Sequence, residues 1–140
     1  MHLLSDKNMK TVRFKDLSYV PASHENPLRP GVLKKVLFKK GDIIPGQIQM
    51  VNWAKLLPKK SFQAHYHEDM DEIFILLNGK ARMKVGTEKI SLQPGDAVIV
   101  PMKKVHSMKN LGTKPLEYIV FGVGRNKKGK TVIREKGILH

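Results

Sequence analysis

The sequence contains no cysteine among its 140 residues, and this absence excludes several kinds of site. Disulfide scaffolds, thiol nucleophiles, iron–sulfur clusters and thiolate zinc sites all need a cysteine thiol, which the chain cannot supply. Any metal ion bound here must therefore be held without thiolate ligands, and we expect nitrogen and oxygen ligands. The lack of cysteine is also consistent with a reducing compartment.

Acidic residues and long apolar runs are also scarce. The chain has 12 Asp+Glu against 26 Lys+Arg, a formal net charge of +14. Such a balance is found in nucleic-acid binders and in proteins with anionic ligands, but also where lysine only solvates the surface. The longest apolar stretches, such as Ile73–Leu77, are far too short to span a membrane. Met1–Lys10 lacks the apolar core of a signal peptide. We therefore expect a cytoplasmic protein without a membrane partner.

The residues that are present indicate one all-β domain. The composition, with 41% hydrophobic and 27% charged residues, is typical of a soluble globular protein. From Gly31 onward, short apolar runs are bounded by Gly, Pro or Asn at roughly ten-residue intervals, without sustained helical periodicity. The predicted strands are Val32–Phe38, Ile48–Lys55, Phe62–His67, Ile73–Leu77, Ala81–Val85, Lys89–Leu92, Ala97–Val100, His106–Lys109 and Glu117–Gly122.

The pattern divides the chain into three parts. Residues 1–31 form an irregular N-terminal segment, broken by prolines, that could add an edge strand; Val12–Leu17 could form a short strand or helical turn. Residues 32–123 form the β-barrel domain. Residues 124–140 form a basic tail, in which Thr131–Ile133 could pair as an edge strand.

Three of the six histidines lie in a limited region that can form a metal site. His65 and His67 are two residues apart, so in a strand both imidazoles point to the same face. Glu72 follows at the start of the next strand, and His106 opens a later one. Three imidazoles and one carboxylate suit several divalent metals and do not choose among them. The remaining histidines, which we expect to be exposed and without function, are His2, His24 and His140.

This spacing resembles the first motif of the cupin superfamily, which reads Gly, five residues, His-x-His, three or four residues, Glu, six residues and Gly. His65, His67, Glu72 and Gly79 stand at the matching positions. Lys59 stands in place of the leading glycine. The spacing thus matches the motif at both histidines, the glutamate and the closing glycine.

A later segment resembles the second cupin motif, which reads Gly, five residues, Pro-x-Gly, two residues, His, three residues and Asn. Gly95, Pro101, His106 and Asn110 match, and Lys103 replaces the inner glycine. The two lysine replacements fall at turns, so they bear on turn geometry and not on the ligand set.

The resemblance implies both a fold and a site. The fold is a jelly roll, or double-stranded β-helix barrel, over about Val32–Val123. The site holds one divalent metal ion, which could be Fe, Mn, Ni, Zn, Co or Cu. Its implied ligands are His65, His67, Glu72 and His106.

Alternation along the strands predicts what surrounds the metal. Gln63 shares a face with His65 and His67, so it is the expected polar partner of a bound ligand, or else a structural hydrogen-bond partner. Tyr118 or Phe121 could reach the pocket, depending on a register that the sequence leaves open. The predicted pocket-lining residues are Gln63, Phe74, Met83 and Met108.

The dipeptide Asn78-Gly79 predicts a two-residue hairpin, because both residues tolerate positive φ. Such a hairpin pairs Leu76 with Ala81 and Phe74 with Met83.

The opposite face of the strand before Gly79 is also apolar, with Ile73, Ile75 and Leu77. The other sheet, residues 1–30 or a second subunit could cover it. Because small cupins commonly dimerise, the resemblance implies a homodimer.

The resemblance also implies a small-molecule ligand but leaves the reaction open. One hypothesis is a metal-dependent isomerase, lyase or dioxygenase acting on a sugar, sugar phosphate, organic acid, diketone or catechol. The alternative is a non-catalytic, metal-anchored module that binds a small molecule or carbohydrate; the lack of an obvious pocket Lys, Arg or Tyr favours it. Nucleic-acid binding is disfavoured, since the sequence has no helix-turn-helix pattern and no interleaved stacking aromatics.

Overall fold

The computed structural model describes residues 10–43, 46–124 and 131–133, which form two antiparallel β-sheets. The six-stranded sheet has the order β1-β2-β3-β10-β5-β8, and the five-stranded sheet has the order β11-β4-β9-β6-β7. This arrangement confirms the predicted all-β jelly-roll fold. The strands are β1 (Val20–Pro21), β2 (Val32–Lys39), β3 (Ile48–Leu56), β4 (His65–His67), β5 (Met70–Asn78), β6 (Ala81–Val85), β7 (Glu88–Leu92), β8 (Ala97–Val100), β9 (His106–Asn110), β10 (Leu116–Gly124) and β11 (Thr131–Ile133).

Most strand positions agree with the periodicity of the sequence, and the differences fall at strand ends. The main exception is the predicted strand Phe62–His67, because β4 begins only at His65. Ahead of it, Ser61 makes an isolated bridge to Lys109, and the backbone N–H of Phe62 donates to the carbonyl of Met108 at 3.1 Å. Within the described ranges, no helix is long and apolar enough to cross a membrane.

The segment at Asn78-Gly79 does not close a hairpin. β5 lies in the six-stranded sheet between β10 and β8, whereas β6 lies in the other sheet between β9 and β7. The predicted pairs Leu76–Ala81 and Phe74–Met83 are therefore wrong. Gly79, with φ of 85°, instead turns the chain from one sheet to the other, so both strands contribute to the same core.

The core lies between the two sheets and follows from strict alternation. Every second residue of β5 from Met70 to Leu76, and of β10 from Leu116 to Gly124, is buried. Each large apolar side chain buried in this way contributes roughly 1.5–3 kcal/mol. The largest fully buried apolar side chains are Phe62, Leu56, Leu76, Met83, Met108 and Leu116.

The N-terminal segment packs on the outer face of the six-stranded sheet. Phe14–Asp16 forms a short 3-10 turn, and the Phe14 ring lies 4.9 Å from the ring of Trp53. The ammonium of buried Lys35 lies 3.6 Å above the Phe14 ring and donates to the Phe14 carbonyl at 2.8 Å. The described N-terminal residues thus cover the part of this face formed by β2 and β3.

The predicted apolar outer face of β5 lies in the same sheet. Ile73 is half-buried and is flanked by Phe121 on β10 and by Ile99 on β8, which is 61% exposed. The homodimer implied by the resemblance stays a prediction.

Both motif positions where lysine replaces glycine keep a left-handed backbone. Lys59 has φ of 63° and Lys103 has φ of 68°. A residue with a Cβ is strained in this region, by roughly 1 kcal/mol. Both lysines therefore adopt a backbone conformation that favours glycine, at a cost in stability.

Replacing either lysine by glycine is expected to stabilise the fold. Lys59→Gly and Lys103→Gly should each raise the free energy of unfolding by about 1 kcal/mol, because glycine removes the left-handed strain. Urea unfolding measures the change. Lys60→Gly is the matched control: Lys60 has no positive φ, so glycine there should destabilise the protein. Equal effects at positions 59 and 60 would contradict the strain interpretation.

Candidate metal centre

Four buried side chains converge between the sheets. His65 and His67 lie on β4, Glu72 on β5 and His106 on β9. Their potential ligand atoms all lie within 4.8 Å of one another. Strand geometry explains the convergence: alternation places His65 and His67 on one face, and His65 pairs directly with His106 on the neighbouring strand. Glu72 reaches the same point from the opposite sheet.

The backbone sets the tautomers of two of these imidazoles. Nδ1 of His65 lies 2.6 Å from the carbonyl oxygen of Gln63, and Nδ1 of His106 lies 3.0 Å from that of Lys104. A carbonyl oxygen only accepts hydrogen bonds, so each Nδ1 carries the proton and donates it. In the neutral ring, Nε2 then has a free lone pair. Histidines that ligate metals are held in this way.

The burial of the cluster controls its charges. Burial, together with the charges of His24 and His106, lowers the pKa of His65 to about 3, so this ring is neutral near pH 7. Burial alone would raise the pKa of Glu72, but its close contacts with the His106 and His67 rings outweigh burial and hold that pKa below its ordinary value. The site therefore combines a neutral imidazole donor with an ionised carboxylate.

The Glu72 carboxylate lies very close to the imidazole rings of His67 and His106. Oε1 of Glu72 is 2.8 Å from Nε2 of His67 and 3.0 Å from Nε2 of His106. With the His106 proton on Nδ1, both atoms of the longer contact are acceptors. Two acceptors at this distance need a proton or a cation between them.

His24 belongs to the surroundings of this cluster, and the expectation that it is exposed and without function is wrong on exposure. Its ring stacks on that of His65, with centroids 4.2 Å apart and planes inclined by 19°. Its Nδ1 lies 3.0 Å from a carboxylate oxygen of Glu25. The sequence does not predict this position of His24, because His24 lies in an irregular segment between prolines. No periodicity there indicates the direction of a side chain. His2 and His140 lie outside the described residues.

Glu25 attaches the segment of His24 to β4. Its carboxylate accepts hydrogen bonds from the backbone N–H groups of Gly31 and Gln63, both at 2.8 Å. Burial raises the pKa of Glu25, but these bonds and the one with His24 outweigh it, so the pKa is lowered overall. The ionised carboxylate thus holds His24 against His65.

The prediction that the Gln63 side chain lines the pocket is wrong. Gln63 is exposed, and Phe62 beside it is buried instead. Alternation from His65 fails here because the strand begins only at His65. Gln63 contributes through its backbone, whose carbonyl orients His65 and whose N–H bonds Glu25.

The other three predicted pocket residues are interior but do not line the cavity beside the cluster. Met83 and Met108 pair across β6 and β9 in the hydrophobic core. Phe74 is buried with its ring 5.9 Å from that of His106. These three residues belong to the hydrophobic core behind the histidines, so they do not line the cavity as predicted.

A cavity of about 290 Å³ opens beside His67 and Glu72. The segment 22–24 and the inner faces of β2, β3 and β10 form its walls. Of the two aromatic candidates on β10, Tyr118 lines it. Its other polar walls include Ser23, His24, Lys34 and Asn52.

Comparisons with known proteins agree with this fold and site. A family model described as the cupin domain matches residues 52–122, just over half of the chain, and this range contains all four clustered residues. The chain is 26% identical over 133 residues to a mannose-1-phosphate guanylyltransferase of Salmonella muenchen, covering 94% of this chain and 28% of that one.

Solved structures show the same fold. A predicted oxalate decarboxylase of Thermotoga maritima superposes with a TM-score of 0.72 at 22% identity, covering 82% of this chain and 99% of that one. A sugar phosphate isomerase from a cupin superfamily, of Silicibacter pomeroyi, gives 0.68 at 17% identity, covering 91% and 93%.

The length and identity of each match limit what can be concluded from it about this chain. The chain spans 44% and 28% of the lengths of two curated relatives, from Methanocaldococcus jannaschii and Salmonella muenchen. Structural likeness at the identities above concerns the fold alone. The family model, by contrast, covers both motifs and the buried cluster, and on this ground the chain belongs to the cupin family.

Proposed function

We propose that the chain is a metal-binding cupin that binds or transforms a small oxygenated molecule. Its buried cluster of His65, His67, Glu72 and His106 holds one divalent metal ion, and the adjacent cavity takes the ligand. The observation that carries this proposal is the convergence of three imidazoles and one carboxylate within 4.8 Å, fully inside the protein.

The chemistry of the cluster fits a cation. The outward Nδ1 protons of His65 and His106 leave Nε2 lone pairs for a metal, and the ionised Glu72 supplies charge. Nitrogen and oxygen donors of this kind suit Fe, Mn, Ni, Zn, Co or Cu. When bound, such an ion polarises or activates oxygen-containing groups.

The chain's own residues supply the rest of the site. The apolar core keeps bulk water from the rear of the cluster, and the cavity gives access from the other side. His24 presents an imidazole oriented by Glu25, and Tyr118 presents a hydroxyl. The lack of an obvious pocket Lys, Arg or Tyr in the sequence favoured a non-catalytic module, but Lys34 and Tyr118 line the cavity, so this reason no longer holds. An isomerase, lyase or dioxygenase is therefore the favoured class.

Metal analysis of the purified protein tests the proposal. Wild-type protein is expected to contain or take up about one divalent ion per chain, whereas His106→Ala and Glu72→Gln should each reduce metal affinity by tenfold or more, since each removes a ligand. His24→Gln is the matched control, because His24 stacks on the cluster without belonging to it. Wild-type levels of metal in both ligand variants would refute the site.

Turnover requires a separate measurement. Metal-loaded protein is incubated with sugar phosphates while isomerisation is followed, and with organic acids, diketones and catechols while oxygen consumption is followed. The cytoplasmic location and the homodimer remain predictions from the sequence and the resemblance.

A further inference from the structure

The cavity beside the metal cluster contains a lysine that has no counter-ion among the described residues. Lys34 lies on β2, is half-buried and lines the cavity. Its ammonium donates to Ser23 Oγ at 3.0 Å, and no carboxylate among the described residues pairs with it. Burial lowers the pKa of Lys34, because part of this side chain is removed from water. A half-buried, unpaired cation in a cavity favours an anionic occupant.

Two buried polar side chains in the same cavity also lack partners. Asn52 is 6% exposed, and its Oδ1 has no hydrogen bond. Tyr118 is 2% exposed, and its hydroxyl bonds no described residue. Burial, together with the negative charges of Glu72 and Glu25, raises the pKa of Tyr118, so the hydroxyl stays a neutral donor. Buried polar groups in proteins are nearly always hydrogen-bonded, so the unpaired Oδ1 of Asn52 indicates a missing ligand or bound water, and the Tyr118 hydroxyl is available in the same cavity.

Strand register brings the three groups to one wall. Ala54 of β3 pairs with Lys34 on one side and with Tyr118 on the other. Its small side chain leaves space between the lysine and the tyrosine. Asn52 is two residues from Ala54 on the same strand and therefore shares its face. The cavity lining thus combines the cations Lys34 and Lys40, the neutral polar groups of Asn52 and Tyr118, and two residues of the metal cluster, Glu72 and His67.

We propose that the cavity binds a small hydroxylated acid, with its anionic group on Lys34 and Ser23 and its hydroxyl groups on Asn52 and Tyr118. Contact of this ligand with a metal ion rests on the proposed function, whereas its contact with Lys34 does not. The anionic group is a carboxylate or a phosphate, since both offer oxygen acceptors to an ammonium and a hydroxyl. A volume of about 290 Å³ lies at the lower end for small-molecule sites and suits a molecule of sugar-acid size.

Calorimetric titration at low salt tests the proposal with three probes of one carbon skeleton. D-gluconate and D-glucitol 6-phosphate carry an anionic group, and D-glucitol does not. At least one of the anions is expected to bind Co(II)-loaded protein about tenfold more tightly than glucitol, because a charged hydrogen bond is lost with the neutral polyol. Whichever anion binds more tightly identifies the group as carboxylate or phosphate.

Two lysine variants separate this site from direct binding to the metal. Lys34→Met should abolish the preference for the anion, whereas Lys114→Met removes an exposed lysine outside this cavity and should retain it. The proposal is overturned if wild-type protein does not prefer either anion, or if Lys34→Met keeps the preference.

Asn52→Leu adds a readout that a structural role would not produce. Because Oδ1 of Asn52 is buried without a partner, leucine should leave the free energy of unfolding unchanged or higher while weakening binding of the preferred anion several-fold. Unchanged binding would exclude Asn52 from the site.

The same titrations on metal-free protein distinguish the two proposals. If the wild type takes up no Co(II), the proposed metal centre fails, yet an anion preference that depends on Lys34 would still support the inference. If Co(II) binds but no such preference exists, only the inference fails.

Discussion

Metal-free protein is expected to lose about 4 kcal/mol of its free energy of unfolding through His65 alone as the pH falls from 7 to 3. Burial lowers the pKa of this imidazole from its ordinary value of 6.5 to about 3 in the folded protein. Between these values the unfolded chain binds a proton that the folded chain does not. Unfolding is therefore favoured progressively below pH 6.5, and the contribution of His65 is fully lost near pH 3.

The contribution of His65 is isolated by comparing variants across this range with urea unfolding. The stability advantage of the wild type over His65→Leu should shrink steadily from pH 7 to pH 3.5, because leucine does not titrate. Phe62→Leu is the matched control: Phe62 is buried against the His65 ring, and its difference from wild type should not change with pH. A constant difference for His65→Leu would show that the folded imidazole titrates normally.

Gly79→Ala is expected to destabilise the fold by about 3 kcal/mol. Gly79 has φ of 85°, which an L-residue rarely adopts. In addition, a Cβ at this position would lie 2.6 Å from Cβ of Leu116 and 3.4 Å from its backbone Cα. Leu116 is fully buried at the start of β10, so neither atom can move away cheaply. With alanine at this position, the backbone could no longer pack closely against Leu116 where the chain passes from β5 to β6.

Gly95→Ala separates backbone strain from the steric clash. Gly95 has φ of 92°, yet nothing lies within 4 Å of a Cβ built there. Alanine at Gly95 should therefore cost only about 1 kcal/mol. Chemical denaturation of both variants gives the difference. If the two substitutions cost the same, the contact with Leu116 contributes nothing.

Local sequence patterns predict most of the strands and the residues of the candidate metal site. Strands Ala81–Val85 and Ala97–Val100 are where periodicity places them, and the all-β fold follows from the spacing of the apolar runs. The spacing of His65, His67, Glu72 and His106, together with its resemblance to the cupin motifs, predicts one cluster, and these four residues lie together inside the protein. Even the two lysines at glycine positions keep the turn conformation of the motif.

The predictions for Asn78-Gly79, Gln63 and His24 were wrong because each applied a local rule to a position that long-range contacts decide. Asn78-Gly79 is a strong hairpin signal, but the pairing of β5 with β10 and β8 decides where the chain goes next. Gln63 was assigned by extending alternation beyond the end of a strand. His24 was dismissed because a residue in an irregular segment has no periodicity from which its direction can be inferred.

The residue types and their local spacing are enough to predict the candidate ligand set, the inward faces of most strands and the positions of the turns, because these depend on residue type and on local repeats of the backbone. Only the tertiary structure decided that β5 and β6 join different sheets, that His24 stacks on His65, and that Lys34 shares a cavity with Glu72. Each of these depends on contacts between residues far apart in the chain, whose free energy comes from packing and burial and not from local conformational preference.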